Sequence, residues 1–389
     1  MNTQELIAKS VKDVPPSGIR KFFDIASDMK DVISMSVGEP DFVTPWNVCD
    51  AAIKSIERGE THYTSNSGTP ALRKLVKQYL AERFNVHYEI DQMLITVGAS
   101  EALDLAFRAL LNPGDEVLIP APSYVSYEPG VRFAHGVAVP IVTEEKDDFV
   151  IRVENIEKAI TPKSKVLVIP YPNNPTGAIL TEEDVVAIQS LALKYDLFVI
   201  ADEIYAELTY GGNHKSFAEG FEDRTLLING FSKAFAMTGW RLGYAAGPKP
   251  VLDAMLKIHQ YTMLCAPIMS QVAGEEAMRT EINSDYKQVR EMVRQYNRRR
   301  VFVVESFREM GFSCFEPRGA FYAFPNISST GLTSEEFCRR LILEQHVACV
   351  PGTAFGQSGE GFIRCSYATS MDNLKEAMKR IRIFVDSLK

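Results

Sequence analysis

The chain has 389 residues, 46% of them hydrophobic, with a formal net charge of -8; it has enough apolar material for a sizeable core, and it is not a nucleic-acid binder held by a broad basic surface. Six scattered cysteines without a C-x-x-C pair and six dispersed histidines give no zinc spacing, so no metal is expected and the thiols read as reduced in a cytoplasmic protein. MNTQELIAKS lacks a basic-then-apolar signal pattern, and no apolar run approaches the roughly 20 residues that cross a bilayer.

The first helix signal is TPWNVCDAAIKSIERG, where Thr44 is expected to cap, Pro45 to take the first helical position and Gly59 to end the helix. Thr69 and Pro70 repeat the signal before a helical run of Leu72, Leu75, Val76, Tyr79 and Leu80. The short apolar run MLITV then ends at Gly98, and a helix follows with Leu103, Ala106, Phe107, Leu110 and Leu111 on one face. EVLIP, KVLVIP, LFVIA and TLLIN are the next expected strands, and Thr181 with Asp184 forms a capping box between two of them. Strands that are apolar throughout and separated by helices predict an α/β fold with a largely parallel central sheet and helices on both faces.

Beyond about Pro250 the pattern changes to long helical stretches, then the short strands of GAFYAFP, VACV and GFIRCSYA, then a closing helix. This predicts a smaller α+β domain. The expected division is 1–45 for an N-terminal arm and part of the small domain, 46–285 for a large domain and 286–389 for the small C-terminal domain. The NRRR at 297–300 reads as a solvated helix face.

Ligands of parallel sheets gather beyond the carboxyl ends of the strands, so the residues there carry the functional question. Gly98, Ala99 and Ser100 open a helix, as a plain cap or as a phosphate seat. Tyr124 follows EVLIPAP as core filler or as a plate for a planar ligand. Asn174 lies in NNPTG, a turn that can also offer an amide. Asp202 ends an apolar strand, as a helix cap or as an anion aimed into a pocket, and Tyr205 follows one turn later. Ser232 and Lys233 follow TLLIN, with Phe231, Ala234, Phe235, Ala236 and Met237 around the lysine and Arg241 eight positions on. Such a lysine either snorkels to solvent or loses affinity for its proton and becomes a usable nucleophile.

Taken together, these groups match the needs of one cofactor, pyridoxal 5′-phosphate: an amine for its aldehyde, an anion for its ring nitrogen, donors for its ring oxygen and a seat for its phosphate. SVGEPDF, HYTSNSGTPALR, VGASEAL, YPNNPTGAIL, ADEIYAELTY, FSKAFAMTGWRLGY, PGTAFG and IRCSYA occur in the order of the landmarks of class I aminotransferases of fold type I, and the chain resembles that family over nearly its whole length.

The resemblance implies that Lys233 bonds to the cofactor aldehyde, that Asp202 pairs with the ring nitrogen and that Tyr205 and Asn174 meet the ring oxygen. It implies Tyr124 stacked on the ring, and Gly98, Ala99, Ser100, Ser232 and Arg241 on the phosphate. Arg364 would grip the substrate α-carboxylate, helped by Gly38 and Asn174. Tyr63 would reach the phosphate of a neighbouring subunit, which implies a homodimer with shared active sites. The expected activity is ping-pong transfer of an amino group from an L-amino acid to a 2-oxo acid such as 2-oxoglutarate. Aromatic donors are favoured, with aspartate and N-acetyl-LL-diaminopimelate as alternatives. Arg20 is a weak candidate for a side-chain carboxylate. A C–S β-lyase shares the fold and cofactor. A cofactor-binding regulator would need a DNA-binding domain before a matching region that already starts within the first forty residues.

Overall fold

The structure is a computed structural model that describes residues 2–16, 18, 29 and 31–388. Its strands are β1 Ile33–Ser34, β2 Met93–Thr96, β3 Glu116–Ala121, β4 Val137–Val142, β5 Ser164–Ile169 and β6 Phe198–Asp202, followed by β7 Thr225–Gly230, β8 Gly243–Ala246, β9 Tyr322–Ala323, β10 Val347–Ala348, β11 Val350–Pro351 and β12 Ile363–Ser366. Seven of them form one sheet in the order β2-β8-β7-β6-β5-β3-β4. β8 runs antiparallel to both its neighbours, and the other pairings are parallel. The expected largely parallel α/β sheet is therefore present, with one strand reversed.

Alternate residues of the strands supply the two faces. Val166, Val168, Ile200 and Ile228 pack with Phe107, Val131 and Met255 of the helices Gly98–Leu110, Tyr127–Phe133 and Lys249–Thr262. Leu167, Ile169, Val199 and Ala201 pack on the other face with Ile156, Val185 and Ile188. Burial on both faces is why these strands read as unbroken apolar runs.

Two strands of the seven-stranded sheet gave no signal in the sequence. β4 is an edge strand, mostly exposed or half-exposed, and contains Pro140, which breaks the strand signal. β8 has the sequence GYAA, poor in β-branched residues. Its Gly243 is required by packing: a Cβ there would lie 2.5 Å from the Ala99 nitrogen, at the start of the next-door helix.

The helix expected after Thr44 begins one residue late, at Trp46, and has no side-chain cap. The Thr44 hydroxyl instead donates to the carbonyl of Ala236, close to Lys233 in sequence. Thr69 and Thr181 do cap their helices, and Thr181 with Asp184 forms the capping box.

A further cluster joins Met35, Tyr205 and Tyr210 to Tyr296, Phe307, Phe321, Phe337 and Phe384. β11, β12 and β9 form a three-stranded sheet here, and β1 pairs in parallel with β10, so the N-terminal segment meets the C-terminal part of the chain. The long helix Lys287–Glu309 carries the NRRR stretch, and here the expectation of a solvated face fails. Arg299 and Arg300 are buried: Arg299 pairs with Asp41 at 2.7 Å and Arg300 with Glu316 at 2.7 Å. Helical spacing turns these two inward, where partners distant in sequence neutralise them.

Candidate active site

Six of the seven strands point the same way, so the segments after β2, β3, β5, β6 and β7 converge on one edge of the sheet, and the reversed β8 starts there. They surround a cavity of about 540 Å³, within the usual range for small-molecule sites. Ala99, Ser100, Tyr124, Asn174, Asp202, Tyr205, Ser232, Lys233 and Arg241 line it, joined by Gly38 from the N-terminal segment and Arg364 from β12. Gly98 lies just behind: its φ is +77°, and a Cβ there would meet the Arg241 guanidinium at 2.7 Å. Glycine thus permits both the helix start and the close approach of the arginine. Tyr63 does not line this cavity and is 81% exposed. Arg20 lies outside the described residues.

Lys233 projects into the cavity, and its ammonium nitrogen donates to the carbonyl of Gly38. Burial pushes its amine down to about 8; Glu39 opposes the shift, and Arg364 and Arg241 add to it. The apolar neighbours seen in the sequence and the two arginines therefore act in the same direction.

Asp202 is the counterpart on the cavity floor. Burial pushes its carboxyl up to about 6, against donation from Tyr127 and from the Ile204 N–H, with Glu203 adding to the rise. Tyr127 donates its hydroxyl to Asp202 at 2.8 Å and meets Tyr124 edge to face at 5.5 Å between ring centres. Among the described residues Asp202 makes no ion pair, so it is a buried anion that lacks a cation.

Arg364 is 2% exposed and held from several sides. One guanidinium nitrogen donates to Asn174 Oδ1 at 2.9 Å and another to the carbonyl of Ser36 at 2.6 Å. Its Nε is buried without a partner. The rings of Tyr322 and Phe355 lie 4.4 and 4.8 Å from its Cζ. Because Asn174 gives its oxygen to Arg364, its amide hydrogens are left for a ligand.

Three residues of this site were missed in the sequence. Tyr127 and Tyr322 look like ordinary core aromatics, and both are buried. Glu39 belongs to the landmark SVGEPDF but had no partner in view; it lines the cavity and accepts a bond from Thr238 Oγ1 at 3.3 Å. The only signal for Tyr322 was its place in GAFYAFP, one strand away from Arg364.

An amine with lowered proton affinity, a buried uncompensated carboxylate, a helix start beside an arginine and a fixed guanidinium fit pyridoxal phosphate and an amino acid together. Comparison with known proteins gives the same answer. The family described as Aminotransferase class I and II matches residues 30–381, and the chain belongs to it. It is 50% identical over 378 residues to the Bacillus subtilis protein named "Putative aminotransferase YugH", covering 96% of this chain and 97% of that one. It is 44% identical to an aspartate aminotransferase of Pyrococcus abyssi, over 95% of each chain. The solved structure titled Pyrococcus protein-A1 superposes with a TM-score of 0.95 at 41% identity, covering 97% of this chain and 98% of that one. Two further relatives, 43% and 41% identical, are named aromatic-amino-acid aminotransferase 2 (Thermococcus litoralis) and "Probable N-acetyl-LL-diaminopimelate aminotransferase" (Bacillus subtilis).

The protein is thus a pyridoxal-phosphate-dependent aminotransferase of fold type I, in a group whose members differ in their donors. The regulator reading falls with this result. No described helix is long and apolar enough to cross a membrane.

Proposed function

We propose that this enzyme moves the amino group of a dicarboxylic or acylated diamino donor, of the aspartate or N-acetyl-LL-diaminopimelate kind, to 2-oxoglutarate. The support for that donor class is the naming of the relatives, where aspartate recurs at 44% and 43% identity. The sequence had favoured aromatic donors. One observation keeps these as a second reading: Tyr124, Tyr127, Tyr205 and Tyr322 wall the cavity. Its described cations, Lys233, Arg241 and Arg364, all have other uses in the proposed scheme.

The observation that carries the catalytic assignment is the buried Lys233 amine facing the same cavity as Asp202 and Arg364. When bound, the cofactor supplies a protonated ring that withdraws electrons from the substrate α-carbon. In the proposed scheme Asp202 keeps the ring nitrogen protonated, held in place by Tyr127. Asn174 and Tyr205 donate to the ring oxygen, and Tyr124 stacks on the ring. Gly98, Ala99, Ser100, Ser232 and Arg241 hold the phosphate. Arg364 takes the α-carboxylate with two parallel bonds, with Gly38 and Asn174 beside it. Lys233 Nζ would hold the cofactor at its aldehyde carbon and would be the base that takes the α-proton. The two half-reactions alternate in ping-pong order.

The proposal extends to a cytoplasmic homodimer, in which the exposed Tyr63 reaches the partner's phosphate, and to the division at 45/46 and 285/286. All six cysteines are free thiols, which suits a reducing compartment. A donor panel against 2-oxoglutarate tests the substrate reading. Aspartate or N-acetyl-LL-diaminopimelate should give the highest kcat/KM; tyrosine or phenylalanine ahead by tenfold would reverse the two readings. Pyruvate and ammonia released from cysteine or cystathionine without a 2-oxo acid would replace both with a β-lyase.

A further inference from the structure

Tyr322 occupies a junction that no other side chain in the cavity shares. Its hydroxyl lies 2.7 Å from the Tyr205 hydroxyl. Its ring lies under the Arg364 guanidinium, 4.4 Å from Cζ, and the Phe355 ring lies 4.8 Å from the same carbon. Its hydroxyl also fills the place of a side chain at Gly38: a Cβ there would stand 2.7 Å from it. Both tyrosines are buried.

We propose that Tyr322 is a positioning residue that links the carboxylate-binding arginine to the donor of the cofactor's ring oxygen. This rests on the reading of Tyr205 as that donor. If Tyr205 spends its proton on the ring oxygen, its own oxygen is left as a buried acceptor, and Tyr322 is the hydroxyl within reach. Tyr322 then donates to Tyr205, and Tyr205 donates to the ring. A donor that is itself hydrogen-bonded gives a stronger bond. The ring of Tyr322 acts separately. With Phe355 it fixes the plane of Arg364, so that the guanidinium meets a carboxylate edge-on. One residue thus acts on the cofactor through its hydroxyl and on the substrate through its ring.

The two roles separate by substitution, in the enzyme loaded with pyridoxal phosphate. The first readout is the pH at which the visible absorption of the lysine-bound cofactor changes. Ionisable groups facing Lys233 are Glu39, Asp202, Arg241 and Arg364, and both tyrosine variants leave them in place. Loss of a donor makes the ring oxygen more basic, so it holds the proton shared with the lysine nitrogen more tightly and the midpoint rises. Tyr322→Phe should raise the midpoint by roughly 0.2–0.6 pH unit and leave the KM for 2-oxoglutarate within about twofold. Tyr322→Leu should raise the midpoint similarly and raise that KM about tenfold. Tyr205→Phe should raise the midpoint more, by about 1–2 units. A Tyr322→Phe midpoint that stays with the wild type while Tyr205→Phe moves would overturn the relay. Equal KM values in Tyr322→Phe and Tyr322→Leu would overturn the ring's role. If Tyr205→Phe leaves the midpoint in place, the reading of Tyr205 fails first, and the proposal fails with it.

Discussion

Replacing Asp202 with asparagine separates two opposite effects of one carboxylate. In the cofactor-free protein the charge is a cost. Burial raises the carboxyl from its ordinary 3.8 to about 6. That difference of 6 − 3.8, or about two units, corresponds to roughly 3 kcal/mol at most. The sign follows from the direction of the shift. A carboxyl with a raised folded-state pKa favours folding below its unfolded value, and that contribution is lost as the pH climbs through about 6. Asp202→Asn removes the titration while keeping an oxygen for Tyr127. The variant minus wild-type stability of the cofactor-free protein should therefore grow by about 2–3 kcal/mol between pH 4 and pH 8. Urea unfolding across that range measures it, and other ionisable groups cancel in the difference. In the loaded enzyme the same carboxylate gains a cation. There Asp202→Asn should weaken cofactor binding by about 10–100-fold, the worth of one charge-assisted bond. A stability difference that stays flat with pH, or unchanged cofactor affinity, would refute the reasoning.

The remaining expectations concern Lys233, Arg364 and Gly38. In cofactor-free protein, labelling of Lys233 by an amine-directed reagent should rise with pH around a midpoint near 8, below that of ordinary lysines, as peptide mapping can read; Lys233→Ala should abolish transamination. Arg364→Lys keeps the charge but not the fork, so it should raise the KM of donor and acceptor by about two orders of magnitude while cofactor titration changes little. Gly38→Ala should lower kcat/KM because its methyl collides with the Tyr322 hydroxyl, and Tyr322→Phe in the same chain should restore part of the loss.

What the sequence made legible was the work of local physics. Fully apolar strands such as KVLVIP and TLLIN announce a covered parallel sheet because both of their faces must be buried. The residues just past them, among them Asp202 and Lys233, announce the site because strand ends in such sheets face one crevice. Partnerships across the chain were hidden. Arg299 and Arg300 read as solvated until Asp41, 258 positions from Arg299, and Glu316 were brought to them. Thr44 read as a cap until the Ala236 carbonyl, 192 positions away, took its hydroxyl. Tyr127 and Tyr322 were invisible for the same reason: only the fold tells a core tyrosine from one whose hydroxyl meets Asp202 or Tyr205.

The supports of the site come from parts of the chain that the sheet alone would not join. The cofactor-facing groups Asp202, Ser232 and Lys233 sit at the ends of β6 and β7, anchored in a core with little room to shift. The substrate-facing group Arg364 sits on β12, in a three-stranded sheet with a different core. Backbone bonds join the two parts outside the cavity, among them the Ala320 N–H to the Leu208 carbonyl and the Arg318 N–H to the Gly177 carbonyl, and side-chain bonds join them inside it. Asn174 and Ser36 hold the guanidinium, Lys233 meets the Gly38 carbonyl, and Tyr205 meets Tyr322. Each of these bonds ends on a group that the proposed chemistry also uses. The register between substrate and cofactor is therefore set in part by the same polar groups that bind them, and a change at one end should be felt at the other. That is why a hydroxyl on β9, remote from Lys233 in sequence, is expected to change the colour of the loaded enzyme, and why the effect should appear before any loss of fold.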